Sequence, residues 1–241
     1  MIYAIGDIHG HLDQLDRALA LVEADGGRDA HIVFLGDYTD RGPNSRGVIE
    51  RLMGGLDQGR NWTCIKGNHD RMFEWFVRPE PRQELHLPID LTWHHERLGG
   101  LTTLASYGVD VTGRPRLSDV HKEALLKVPS SHIDFLKTCQ LSLETTEYFF
   151  AHAGIRPGVS LSNQTENDLL WIRQGFVDDT TIHPKIIVHG HTAVQTPEHN
   201  GTRINLDGGA GYGRDLWPAR FDGLNCTLLT SLGPIPLIPS E

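Results

Sequence analysis

This chain of 241 residues lacks long apolar runs, paired cysteines and any excess of positive charge. No run of about 18 apolar residues occurs, which excludes a membrane-spanning helix of ordinary length. The first residues show neither a basic segment nor a small-residue cleavage site, so we expect no signal peptide and a cytoplasmic location. The cysteines at positions 64, 139 and 226 are far apart, and we expect reduced thiols rather than disulfides or a structural zinc site.

The net charge at pH 7 is −9. An acidic chain does not bind a nucleic-acid backbone by bulk electrostatics, so we expect neither nucleic acid nor a membrane as a partner. Any phosphate group must then be held by a local cluster of positive side chains. Histidine, in contrast, is abundant: the chain has 14, and histidine is the commonest metal ligand among side chains.

Apolar runs alternate with segments of helical periodicity along the first third of the chain. Strands are predicted at 2–5, 31–35, 62–66, 141–145, 147–151, 185–188, 203–206 and 225–230. Helices are predicted at 11–24, about 44–56 and from about 69 onwards. This order predicts an α/β fold of layered type, with a central pair of β-sheets (a sandwich) flanked by helices.

One domain is expected over residues 1–241, because no convincing linker is visible. Prolines interrupt residues 78–140, which we interpret as an irregular, partly helical inserted region. Helical patches are expected there near 96–106 and 118–138.

Residues with metal-binding or acid–base chemistry directly follow five of the predicted strands. They are Asp7 and His9, then Asp37, Asp40 and Arg41, then Asn68, His69 and Asp70, and later His152 and His191. The carboxyl ends of strands line the site in α/β sheets. Asp, His and Asn donors suit Mn, Fe or Zn better than Ca. Singly, the aspartates could be turn or cap residues and His152 a core histidine, but the ordered set favours a metal site.

Six short segments in this order resemble the phosphoprotein phosphatase family of calcineurin-like metallophosphatases. Among its members, the resemblance is greatest to bacterial and phage (lambda phosphatase-like) serine/threonine phosphatases. The segments are GDIHG at 6–10, GDYTDRG at 36–42, GNHD at 67–70, HAG at 152–154, WIR at 171–173 and HGHT at 189–192.

The resemblance implies a centre of two divalent metal ions, with Mn²⁺ expected and Fe or Zn as alternatives. Its ligands would be Asp7 and His9 for one ion, Asp37 as the bridge, and Asn68, His152 and His191 for the other. His189 shares a strand face with His191, so spacing alone allows either as a ligand. The family pattern implies His191, with His189 behind it or near the phosphate.

The resemblance also implies the chemistry, in which hydroxide held between the metals attacks phosphorus directly. His69, paired with Asp40, would be the general acid, because expelling an alkoxide requires a proton donor. Arg41 and Arg173 would bind phosphate oxygens, since guanidinium geometry matches phosphate, and Asn68 would also contribute to binding the phosphate.

The predicted function is metal-dependent hydrolysis of phosphate monoesters, with phosphoserine or phosphothreonine in proteins as the preferred substrate. The alternatives are a symmetrical diadenosine tetraphosphate hydrolase or a small-molecule phosphatase of the same family. Asp40 favours the protein phosphatase branch, because those hydrolases resemble GDLVxRGP with a non-acidic residue at that position. A phosphodiesterase is disfavoured by the arginine pair, and a non-catalytic scaffold would be expected to have lost a ligand or the acid.

Two further segments leave alternatives open. The glycine-rich residues 208–213 resemble a dinucleotide-binding loop, but no helix pattern follows and we expect a turn or loop. In the aromatic and histidine cluster from 75 to 95, Trp75 and Phe76 are expected in the core, whereas Trp93, His94 and His95 could face the substrate.

Overall fold

The computed structural model describes residues 1–113 and 115–240, and within them two mixed β-sheets are flanked by helices. The strands are β1 Ile2–Ile5, β2 Ile32–Phe34, β3 Trp62–Cys64, β4 Ser142–Glu144, β5 Tyr148–Ala151, β6 Ile186–His189, β7 Glu198–His199, β8 Arg203–Asn205, β9 Pro218–Asp222, β10 Asn225–Thr230 and β11 Gly233–Pro236. The helices are α1 Leu12–Gly26, α2 Ser45–Asp57, α3 Asn68–Phe76, α4 Gly100–Ser106, α5 Leu117–Lys127, α6 Ser130–Thr138 and α7 Glu166–Trp171. The predicted layered α/β fold is confirmed.

Each sheet contains three neighbouring parallel strands. The first sheet has the order β11-β10-β9-β1-β2-β3, with β1, β2 and β3 parallel. The second has the order β4-β5-β6-β8-β7, with β5, β6 and β8 parallel. Parallel strands need a crossover connection, and the resulting order brings three carboxyl ends together at one edge of each sheet.

The two sheets pack face to face, and the period of two along each strand divides its side chains between two cores. In β1, Ala4 faces the core between the sheets, where it joins Val33, Phe150 and Val188. Tyr3 and Ile5 face the core beneath α1 and α2. Both faces of these strands are buried, which explains why their sequences are continuously apolar rather than alternating.

Side chains from the region 78–140 pack in the core that lies beneath α1 and α2. Trp93, Leu104, Val120 and Leu136 belong to the same buried cluster as Tyr3 and Ile5 of β1. Arg114 falls in this region and lies outside the described residues. The interpretation of 78–140 as an inserted region stays a prediction.

The prediction of one helical patch over 118–138 was wrong at Val128 and Pro129, where the chain is extended between α5 and α6. Proline has no N–H to donate and disfavours a helical conformation at the preceding residue. The helix expected from 96 begins at Gly100. Four elements were not predicted: α7, β7, β9 and β11. They are short or contain proline, and Pro234 and Pro236 are accommodated because β11 is an edge strand.

Within residues 1–113 and 115–240, no helix combines the length and the apolar character needed to cross a bilayer. Cys64 and Cys226 are buried, Cys139 is half-buried, and all three are free thiols.

Candidate metal centre and phosphate site

All six predicted metal ligands are buried and follow the carboxyl ends of five strands. Asp7 and His9 follow β1, Asp37 follows β2, Asn68 begins α3 after β3, His152 follows β5 and His191 follows β6. In the described part of the chain, two groups of three potential ligand atoms occur, and both contain Asp37. The groups are His9, Asp37 and His69, and Asp37, His152 and His191.

Asp37 presents one carboxylate oxygen to each group. Its Oδ2 lies 3.5 Å from His9 Nε2, and its Oδ1 lies 3.5 Å from His152 Nε2. A carboxylate in this position can join two cations and reduce their mutual repulsion. This is the arrangement that a bridging ligand requires.

The backbone fixes which nitrogen of two histidines carries the proton. Nδ1–H of His9 donates to the Thr39 carbonyl at 2.8 Å, and Nδ1–H of His152 donates to the Leu35 carbonyl at 2.8 Å. Both Nε2 atoms therefore carry a lone pair directed towards Asp37. Such outer hydrogen bonds orient metal-binding imidazoles.

Asn68 adds an oxygen donor to the second group. Its Oδ1 lies 2.8 Å from both His152 Nε2 and His191 Nδ1. His189, the alternative ligand, belongs to neither group: it packs edge-on against Phe176, and its Nδ1–H donates to the Gly190 carbonyl at 3.0 Å. The geometry thus favours His191 over His189.

Asp7 lies outside both groups of three. Each of its carboxylate oxygens is 3.1 Å from the backbone N–H of His191, so it connects the loops after β1 and β6. Its expected role as a ligand of the first metal stays a prediction.

Burial shifts the pKa values of several carboxyl and imidazole groups in the site towards their uncharged forms. Burial, followed by repulsion from Asp207 and Asp37, raises the pKa of Asp7 well above its ordinary value. Burial also raises the pKa of Asp207 to about 6 and lowers the pKa values of His9 and His191 well below normal. Neutral imidazoles are the metal-binding form, and cations would compensate the crowded carboxylates. This donor set fits a pair of divalent cations.

For Asp37, burial alone would raise the carboxyl pKa. Coulomb attraction to His152, His69 and His9, which acts when those rings are protonated, opposes that effect, and the net pKa of Asp37 is lowered.

The loops of the site adopt a strained backbone. In the described chain, five non-glycine residues have φ between 46° and 74°: His9, Asp37, Asp40, Arg41 and His191. Left-handed conformations are unfavourable for residues with a Cβ and cluster at functional sites. All five are residues that the sequence predicted for the site.

The predicted acid, His69, is paired with Asp40. Its Nδ1 lies 2.6 Å from Asp40 Oδ2, and both side chains are buried. The Asp40 carboxylate also accepts a hydrogen bond from Trp93 Nε1 at 2.7 Å and one from Thr103 Oγ1 at 2.7 Å. Both donors come from the region 78–140, so this region positions the Asp40–His69 pair.

The predicted phosphate-binding arginines lie at the mouth of this centre. Arg41 Nη1 lies 2.7 Å from His9 Nε2, and its Nη2 lies 3.2 Å from His69 Nε2. Arg173 Nη2 donates to the His191 carbonyl at 3.0 Å. Both line a cavity of about 340 Å³, together with His191, Thr192, Ala193, Asp207, Tyr212 and Arg214.

Asp70, in the first turn of α3, has a structural role. Its carboxylate accepts from the backbone N–H of Gly67 and of Tyr38, each at 2.9 Å, and ties the β2 loop to the start of α3. Burial raises the pKa of Asp70 to about 7.

Four residues described here were not predicted, namely Thr103, Asp207, Tyr212 and Arg214. Trp93 was considered as a substrate-facing or core side chain, but not as a partner of Asp40. Asp207 had a usable signal, because Asp207-Gly208-Gly209 follows the predicted strand 203–206 as the other ligands follow theirs. The glycine-rich turn after it lies against the centre, since a Cβ on Gly211 would collide with the His9 ring.

Comparison with known proteins identifies the family. The family model described as calcineurin-like phosphoesterase matches residues 1–209. The chain belongs to this family. Calcineurin-like phosphoesterases bind two divalent metals, in agreement with the paired His and Asp groups.

The relatives that cover most of this calcineurin-like phosphoesterase are named tetraphosphatases. The asymmetrical bis(5'-nucleosyl)-tetraphosphatase PrpE of Bacillus subtilis is 26% identical over 258 aligned positions, covering 95% of this chain and 94% of that protein. PrpE of Oceanobacillus iheyensis is 28% identical and covers 90% and 87%. A symmetrical bis(5'-nucleosyl)-tetraphosphatase of Bordetella pertussis is 39% identical, but over 69 residues, or 29% of this chain.

Solved structures agree on the fold. A structure described provisionally as a diadenosine tetraphosphatase has a TM-score of 0.63 at 20% identity and covers 99% of this chain and 94% of its own. A cold-active protein-tyrosine phosphatase of a psychrophilic Shewanella has a TM-score of 0.66 at 17% identity, with 98% and 80% covered. The expectation of a calcineurin-like metallophosphatase is confirmed, whereas these relatives do not support the finer assignment to lambda phosphatase-like phosphoprotein phosphatases.

Proposed function

We propose that this calcineurin-like phosphoesterase is a metal-dependent hydrolase of dinucleoside polyphosphates that splits diadenosine tetraphosphate asymmetrically, into ATP and AMP. The observation that carries the proposal is the similarity over nearly the whole of both chains to asymmetrical tetraphosphatases. The symmetrical enzyme of Bordetella pertussis aligns over less than a third of the chain. We therefore place asymmetrical cleavage ahead of the symmetrical cleavage expected as an alternative from the sequence.

The serine/threonine phosphatase expected from Asp40 has weaker support. That expectation depended on one position in the second motif, and the relatives that span the chain carry the tetraphosphatase name. The likeness to a protein-tyrosine phosphatase at 17% identity concerns the fold alone. A phosphopeptide is accordingly the competing substrate in the experiment below.

Two divalent cations, which we propose to be Mn²⁺, would supply Lewis acidity and an activated water when bound. The residues that would hold them are Asp7, His9, Asp37, Asn68, His152 and His191. Three of these ligands are imidazoles held neutral by burial, and Asp37 offers one oxygen to each side. Zn²⁺ and Fe²⁺ suit the same donors and are compared with Mn²⁺ in the experiment.

Four side chains of this chain bind the phosphate or supply and orient the proton for the leaving group. Arg41 and Arg173 bind the oxygens of the phosphate under attack and stabilise its developing charge. His69, oriented by Asp40, donates its proton to the leaving oxygen. Hydrolysis of an anhydride expels a phosphate oxygen, whose pKa is about 6, and needs this proton less than expulsion of a serine alkoxide does.

The test compares diadenosine tetraphosphate, a phosphoserine peptide and a phosphotyrosine peptide with the Mn²⁺-reconstituted enzyme. Separation of the nucleotide products distinguishes ATP plus AMP from two ADP. We expect kcat/KM to be highest for the dinucleotide and the products to be ATP and AMP. Faster hydrolysis of either peptide would refute the proposal, and two ADP as the products would refute asymmetrical cleavage. Reconstitution in parallel with Zn²⁺ and Fe²⁺ tests the choice of metal.

A further inference from the structure

A third arginine, Arg214, lines the same cavity as Arg41 and Arg173. Arg41 contacts His9 and His69, and Arg173 contacts the backbone of His191. Arg214 lines the same cavity but makes no hydrogen bond to any of the predicted metal ligands in the described chain.

Two contacts hold Arg214 in place. Its Nε–H donates to the Gly208 carbonyl at 2.7 Å. Its guanidinium carbon lies 5.6 Å from the centre of the Tyr212 ring, and that of Arg41 lies 4.7 Å from the same centre. Both guanidinium groups therefore pack against the same aromatic ring, which is 60% exposed.

The glycines of this turn make room for Arg214. Gly209 has φ of 86°, and a Cβ at this position would collide with the Arg214 guanidinium. In the described part of the chain, the Nη1 and Nη2 groups of Arg214 donate to no protein atom. The planar fork that these groups form is suited to bidentate binding of a phosphate.

We propose that Arg214 binds a second phosphate of a polyphosphate chain while Arg41 and Arg173 hold the phosphate under attack. Arg214 would then be the specificity-determining residue that favours polyphosphates over monoesters. This inference rests on the proposed function for its biological substrate, although the phosphate subsite can be tested without a dinucleotide.

The test measures competitive inhibition of p-nitrophenyl phosphate hydrolysis by inorganic phosphate and by tripolyphosphate, with free Mn²⁺ held constant. In the unmodified enzyme we expect tripolyphosphate to inhibit at least tenfold more tightly than phosphate. Arg214→Gln should weaken inhibition by tripolyphosphate about 10- to 100-fold, the loss expected for one charged hydrogen-bonding group. Inhibition by phosphate, and kcat/KM for the nitrophenyl ester, should change less than about threefold.

Two further variants separate charge from loop structure. Arg214→Lys keeps the charge without the Nε–H bond to Gly208 and should recover part of the tripolyphosphate inhibition. Arg51→Gln, which breaks an ion pair between α2 and Asp16, removes the same charge outside the cavity and should leave both inhibition constants unchanged. Circular dichroism and Tm establish that each variant is folded.

Equal weakening by Arg214→Gln of inhibition by phosphate and tripolyphosphate would show that Arg214 only supports the loop, and would overturn the inference. Unchanged tripolyphosphate inhibition would overturn it as well. If the unmodified enzyme failed to cleave diadenosine tetraphosphate, the proposed function would fail, but the two inhibition constants would still decide the role of Arg214.

Discussion

Trp93→Phe offers the sharpest test of how the acid is positioned. The indole N–H of Trp93 is one of three donors to the buried Asp40 carboxylate, with His69 and Thr103 as the others. A hydrogen bond to a charged group contributes about 1.5–3 kcal/mol. If this bond keeps Asp40 aligned with His69, its loss should slow the proton-dependent step by roughly 10- to 100-fold.

The assay uses two esters that differ in their leaving group. Phosphoserine releases an alkoxide and depends on the acid, whereas p-nitrophenyl phosphate releases a stable anion and does not. For Trp93→Phe we expect the 10- to 100-fold loss in kcat on phosphoserine and a loss of less than about threefold on the nitrophenyl ester. The hydrogen bond can be followed independently as a shift of the Trp93 indole N–H resonance in the Asp40→Asn variant.

Trp62→Phe is the matched control. Trp62 is 7% exposed, against 5% for Trp93, and packs in the same core, but its Nε1 has no hydrogen-bond partner in the described chain. The Trp62→Phe variant should be less stable because core packing is lost. The ratio of kcat on phosphoserine to kcat on the nitrophenyl ester should not change. The reasoning would be refuted if Trp93→Phe slowed both esters equally, or if Trp62→Phe reproduced the selective loss.

Three further outcomes are expected. Dialysis against a chelator should abolish hydrolysis and Mn²⁺ should restore it, so activity that survives complete metal removal, verified by elemental analysis, contradicts the two-metal centre. His69→Asn should slow phosphoserine hydrolysis more than nitrophenyl phosphate hydrolysis, and equal losses would exclude His69 as the acid. Burial lowers the pKa of His189 to about 3. In the unfolded chain the pKa of His189 is about 6.5, so between about pH 3 and 6.5 the unfolded state binds more protons than the folded state. The free energy of unfolding should therefore fall as the pH drops through this range, by at most about 1.4 kcal/mol per pH unit. Urea denaturation of His189→Gln should show a shallower dependence over this range, and an unchanged slope would contradict the assignment.

The ligand set could be predicted from the sequence because its signal is local. An apolar run, a small residue and a donor such as Asp37 or His152 lie within a few positions of one another, and the sheet topology then brings the strand ends together. The choice between His189 and His191 as a metal ligand could not be made from neighbouring positions in the sequence. It depends on which side chain reaches Asn68, and the alternation of the strand allowed either.

Trp93 and Thr103 could not be found in this way, because they reach Asp40 across 53 and 63 positions of the chain from a segment with weak periodicity. The substrate of the enzyme also does not follow from the sequence motifs. The Asp40–His69 hydrogen bond positions a proton donor, and a proton donor can serve the hydrolysis of several kinds of phosphate ester, so Asp40 alone does not identify the substrate. Two of the side chains that line the cavity were equally hidden: Tyr212 lies in the glycine-rich segment 208–213, which was expected only to be a turn or loop, and Arg214 directly follows it.

The strained residues explain why the centre needs such a dense hydrogen-bond network. A left-handed conformation costs roughly 1–2 kcal/mol at a residue with a Cβ, so it persists only where neighbouring groups leave no alternative. The His9 N–H donates to the Asp37 carbonyl at 2.8 Å, and the His9 carbonyl accepts from Gly42 at 2.9 Å. The Asp40 N–H donates to Thr103 Oγ1 at 2.8 Å. These hydrogen bonds tie the strained residues to the neighbouring backbone and to Thr103, so the left-handed conformations are supported by contacts within the protein.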